Sequence, residues 1–154
     1  MAKNLLHRVS LKELLLFLQA IFARKSWISR RVQADERLTR YIFDERHIKG
    51  EEVKGAACEP PKSLPEVSVY RTNGLGLEAI WRIGLIYVES LRGKKMVALT
   101  HTTSNLVKGQ ELSVQPLWLP HPRHTNILGW PEERSAAKQK ALELARDAKA
   151  IKPT

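Results

Sequence analysis

The chain is poor in the residues that staple small secreted domains together. It has one cysteine, Cys58, in 154 residues. A single thiol forms no internal disulfide, so nothing in the composition asks for an oxidising compartment. It also excludes a zinc site built from several thiolates. Cys58 lies between Ala57 and Glu59 with Pro60 and Pro61 behind it, and reads as a buried, inert thiol rather than a nucleophile. Long hydrophobic runs are missing too: none reaches the roughly 20 residues of a membrane span. The nearest approach is N-terminal, where Lys3, His7, Arg8 and Lys12 precede an apolar stretch from Leu14 to Ala23. That layout resembles a signal peptide, but Glu13 borders the stretch, Gln19 interrupts it, and Ile21 is too bulky for a small-residue cleavage motif. An ordinary helix is the expectation. There is no internal repeat, and Asn73-Gly74-Leu75-Gly76 lacks the full spacing of a dinucleotide fingerprint and reads as a turn.

Acidic residues are scarce relative to basic ones. Lys and Arg number 26 against 16 Asp and Glu, a net charge of +10 with a pI near 10.0. Such a field acts first on polyanions, of which nucleic acid is the commonest. An anionic membrane surface or an acidic protein are the other classes. The hydrophobic share of 43% suffices for a core, and the length suits one domain. Seven cations, Arg24, Lys25, Arg30, Arg31, Arg37, Arg40 and Arg46, fall in one short stretch with Trp27 and Tyr41 among them. Arginine beside aromatics is the chemistry of a nucleic-acid face, although a solvated helix flank has the same composition.

Patterning divides the chain into an N-terminal helix with a basic linker over 1–37 and an α+β core over 38–154. Ser10 and Glu13 form a capping box, after which Leu11, Leu14, Leu15, Leu18, Ile21 and Phe22 recur at helical spacing. This stripe is either core or a docking face for a protein partner or a second copy of the chain. Residues 38–43 have the bias of a strand, although a helical turn could also hold them, and a strand is expected over 66–71, in which Val67 and Val69 face one way and Ser68 and Tyr70 the other. A helix from Leu77 to Leu91 ends at Gly93; strands follow near 95–101 and 111–115. Pro131 opens the last helix, with Glu132 and Glu133 in its first turn. The expected fold is one small α+β domain: a mostly antiparallel sheet with N-terminal, central and C-terminal helices.

The densest run of capable side chains is Pro120-His121-Pro122-Arg123-His124-Thr125-Asn126. Its two imidazoles, with His101, could bind zinc, but no carboxylate lies close in sequence, so neither metal nor cofactor is expected. As an acid–base site, His124 would move a proton while Arg71 or Arg123 holds an anionic group and Thr125 or Asn126 bonds the substrate. A third reading is structural, with His124-Thr125-Asn126 satisfying the backbone of an irregular strap that docks the last helix. Val69-Tyr70-Arg71, the segment Ala79 to Gly84, and His121 to Pro131 together resemble a pattern in small bacterial proteins of no assigned activity. The resemblance covers roughly Leu38 to Ala148. It implies a bacterial cytoplasmic protein, an accessory of a mobile element or of defence, and carries over no catalytic residue.

The functional expectation is a basic nucleic-acid-binding module or nucleoprotein subunit, for DNA or RNA, using Arg24, Lys25, Trp27, Arg30, Arg31, Arg37, Arg40 and Arg123. The alternative is a small enzyme on a phosphate-bearing substrate, cleaving RNA or transferring ADP-ribose, through His101, His121, His124 and Arg71. A second alternative is an adaptor that uses the N-terminal helix.

Overall fold

The computed structural model describes residues 10–22 and 28–154. The chain begins with helix α1 (Leu11–Phe22), then strand β1 (Arg37–Ile42) and a small hairpin of β2 (Ile48–Lys49) and β3 (Glu52–Val53). Strand β4 (Val67–Arg71) leads into α2 (Leu77–Ile83), which runs through a π-helical turn (Gly84–Glu89) into α3 (Ser90–Arg92). Strand β5 (Ala98–Thr103), α4 (Ser104–Gly109), β6 (Ser113–Pro116), β7 (His124–Leu128) and α5 (Arg134–Ala145) complete it. Five strands form one sheet in the order β5-β1-β4-β7-β6, every pairing antiparallel. This is the expected α+β domain.

Strand alternation builds two cores, one on each face. Leu38, Ile42, Val67, Val69, Ala98 and Ile127 pack against α5 through Ala137, Ala141, Leu144 and Ala145. Tyr41, Tyr70 and Leu99 point the other way, onto Ile80, Ile83, Tyr87 and Val88 of the central helix, with Ala20 of α1. Val67 and Val69 thus part from Tyr70 as the alternation requires. The π turn sits where the helix meets Tyr41, whose hydroxyl donates to the Ile80 carbonyl at 2.6 Å. A Cβ at Gly84 would lie 2.6 Å from the Tyr41 ring, so the close approach needs glycine.

Several boundaries move. The capping box forms, Glu13 N donating to Ser10 Oγ at 3.1 Å and Ser10 N to Glu13 Oε2 at 2.8 Å. Gly93 ends α3 in the left-handed conformation at φ 63°. Strand β5 starts at Ala98 rather than near Lys95. Helix α5 starts at Arg134, not at Pro131: the Glu133 carboxylate caps it by accepting from Ser135 N and Ala136 N. The largest change is β7. His124-Thr125-Asn126, read as an irregular strap, is the strand between β4 and β6.

Candidate functional site

The pairing of β1 with β4 is short: Leu38 opposes Arg71 and Thr39 opposes Tyr70, whereas β1 matches β5 over six residues. Beyond Thr39 a side chain takes over from the ladder. Arg40 donates from Nη1 to the Ser68 carbonyl at 2.9 Å and from Nε to the Ala57 carbonyl at 3.1 Å. At this parting lies a cleft of about 340 Å³, lined by Arg40, Glu59, Lys62, Glu66, Ser68 and Arg92. Arg92 reaches it from the end of α3, with its guanidinium 4.8 Å from the centre of the Phe43 ring. Burial, and then the positive charge of Arg92, pull the Arg40 guanidinium down to about 10. Neither arginine has a carboxylate partner among the described ion pairs.

Ser68 forms one wall of the cleft and has a histidine behind it. Its Oγ lies 2.7 Å from His124 Nε2, and His124 Nδ1 lies 2.6 Å from the Leu119 carbonyl oxygen. A carbonyl only accepts, so Nδ1 carries the ring proton and Nε2 is left as the acceptor for the Ser68 hydroxyl. Burial is the main reason that the imidazole is held at about 4, with Arg92 pushing the same way and the Leu119 carbonyl opposing. At neutral pH the ring is therefore uncharged, with its lone pair on Ser68. A hydroxyl, an imidazole and an acceptor for its Nδ1–H thus follow one another, an order in which a hydroxyl can be activated.

The other expected residues do not join it. His101, Thr39, Tyr70 and His124 stand in one row across β5, β1, β4 and β7. Three strand spacings of about 4.8 Å put the two histidines roughly 14 Å apart. His101 Nδ1 bonds Thr39 Oγ1 at 2.9 Å. His121 accepts from its neighbour Arg123 N at 3.1 Å and packs edge-on to Tyr87, ring centres 4.6 Å apart. Burial lowers His101 to about 4 and His121 to about 3. Among the described residues no group of His, Cys, Asp and Glu side chains could hold a metal ion.

Arg71 is 2% exposed and fully engaged elsewhere. Its guanidinium grips the Glu36 carboxylate at 2.7 and 2.9 Å and also donates to the carbonyls of Ser29 and Arg31. It fastens the segment before β1 to the sheet. Arg123, also buried, donates to the Arg71 carbonyl at 3.0 Å. Arg37 bonds Thr72 and Leu75, and Arg30 lies over the Trp118 ring at 5.2 Å. Arg31 is exposed; Arg24, Lys25 and Trp27 lie outside the described residues. On α1, Leu11, Leu14, Leu15 and Leu18 face outward. Among the described residues no helix is long and apolar enough to cross a membrane. Burial pushes the Cys58 thiol up to about 11, the inert state expected of it.

Sequence reasoning missed Ser68, Arg92 and the cleft. Ser68 carried one signal, its place beside Tyr70 on the face opposite Val67 and Val69. Arg92 carried none beyond its charge. Set against family models, curated proteins and solved structures, the chain finds no match.

Proposed function

We propose that the chain is a small enzyme acting on a phosphate-bearing substrate, nucleic acid foremost. Ser68 is its nucleophile and His124 its general base. The observation that carries this reading is the Ser68–His124 bond at 2.7 Å on the wall of a cleft that also holds Arg40 and Arg92. Ser68 Oγ attacks phosphorus. The Oγ–P bond forms as the bond to the leaving oxygen breaks, and the hydroxyl proton passes to His124 Nε2 and on to that oxygen. Water then gives a proton to Nε2 and its oxygen to phosphorus; the Oγ–P bond breaks and the proton returns to Ser68. The depressed histidine is a weak base in the free enzyme, but an anion arriving beside Arg92 cancels part of the charge that depresses it. The net charge of +10 raises the local concentration of polyanions.

The test is turnover of labelled single-stranded RNA and DNA and of a chromogenic phosphodiester. Ser68→Ala and His124→Gln should each lower the rate by about a hundredfold or more. Undiminished turnover in both variants, or none in the wild type, overturns the reading. Binding of the same strands across a salt series tests the nucleic-acid-binding expectation separately, since affinity carried by phosphate contacts falls steeply with salt whether or not cleavage occurs.

A further inference from the structure

We infer that Arg40 and Arg92 form the seat of a single phosphate group, and that the cleft takes one nucleotide-sized unit rather than a duplex backbone. The inference rests on the reading of Ser68 as the reacting group, because it names what is presented to that group.

Size bears on this first. About 340 Å³ is at the small end of ligand sites and matches a compact unit such as a nucleoside monophosphate. Charge bears on it next. Two guanidinia line the cleft, neither is in a described ion pair with a carboxylate, and an anion with several oxygens would relieve their mutual repulsion. The two are built differently. Arg40 is anchored through Nε and Nη1 to the carbonyls of Ala57 and Ser68, so it is a fixed donor tied to the nucleophile's own backbone. Arg92 is exposed, rests on the Phe43 ring, and donates no hydrogen bond among the described residues, so it is the arm that can close on a ligand. The cleft also holds carboxylates. Glu59 and Glu66 line it with Lys62, and their carboxylates suit the hydrogen-bond donors of an amino group or base edge while they repel a second phosphate. A polymer carrying a phosphate at every step fits that less well than one unit, or the end of a single strand.

The experiment is calorimetric titration of Ser68→Ala protein, which holds ligand without turning it over, with inorganic phosphate and with a nucleoside 5′-monophosphate. Both should bind, the nucleotide more tightly. Arg92→Ala should weaken each by about tenfold or more, the loss of a charge-assisted contact. Arg134→Ala, an exposed arginine away from the cleft, should change nothing. Glu59→Gln with Glu66→Gln should weaken the nucleotide and spare inorganic phosphate. Because Arg92 is exposed, its loss leaves the fold intact, and thermal unfolding of that variant verifies this. No binding of phosphate, or binding indifferent to Arg92→Ala, overturns the inference. Phosphate that binds at Arg92 in a protein without turnover leaves the seat standing and removes the nucleophile. Turnover that phosphate does not inhibit does the reverse.

Discussion

The two ends of the β1–β4 pair each hold an arginine, Arg71 buried and Arg40 half-buried, and the two differ in what neutralises them. At the paired end Arg71 meets a carboxylate, Glu36, and two backbone carbonyls. At the parted end Arg40 meets two carbonyls, a second arginine in its neighbourhood, and open space. A charge satisfied by an opposite charge inside the protein fastens the chain, because its field is closed. A charge held only by carbonyl dipoles keeps a field that reaches the solvent, and an anion can complete it. The same residue type on adjacent strands is therefore closed off by an internal charge in one place and left open to an anion in the other.

One substitution made at both ends should separate them. Arg71→Met leaves Glu36 buried and unpaired, and should lower unfolding stability by about 3–5 kcal/mol in urea titration. Equal losses for Arg71→Met and Arg40→Met would erase the comparison. Acid sharpens it from another side. His121 and His124 sit at about 3 and about 4 in the folded chain against an ordinary 6.5. The unfolded chain thus binds protons that the folded chain refuses, and stability falls as pH drops from 6.5 toward 4, having been complete above 6.5. At pH 5 the loss is on the order of 2 kcal/mol for each histidine. Unfolding midpoints across pH 5 to 8 test this, and a flat profile counts against it. A protonated His124 would add a positive charge near Arg92, so phosphate should oppose the loss.

Much of the fold was legible because local chemistry and global packing agree there. Ser10 and Glu13 cap α1, Gly93 stops the central helix, and Val67 and Val69 share a face with the α5 core. What misled was proline. Pro120 and Pro122, just before His124, and Pro131 just after the segment, look like the borders of a loop, yet the five residues from His124 to Leu128 fill an interior strand. With that strand unread, no reasoning could set His124 opposite Tyr70 and against Ser68, since the contact joins residues 56 apart in the chain. Arg71 reads from the sequence as a holder of an anionic group. Its partner Glu36 lies in a stretch read for its cations, so the pairing that occupies Arg71 was invisible. Arg40 reads from the sequence as one member of a basic face; its separate setting depends on where β1 and β4 part, which no sequence pattern encodes.

Smaller effects should follow the same rule of what each polar group is left facing. Arg40→Met keeps the aliphatic stem but leaves the Ala57 and Ser68 carbonyls without their donor. It should destabilise by about 1–3 kcal/mol, clearly less than Arg71→Met, and should remove the stabilisation that added phosphate confers on the wild type. The mildest case is Thr125 on β7. It is fully buried beside Val69, and its hydroxyl has no hydrogen-bond partner among the described residues. Thr125→Val deletes an unsatisfied group and fills nearly the same space, so stability should hold or rise by up to about 1 kcal/mol. Ser68→Ala on the adjoining strand deletes a hydroxyl that His124 Nε2 depends on, and should lose about 1 kcal/mol or more. If the two changes shift the urea midpoint alike, the Ser68–His124 bond contributes nothing to the folded state, and its claim to a fixed catalytic geometry fails with it.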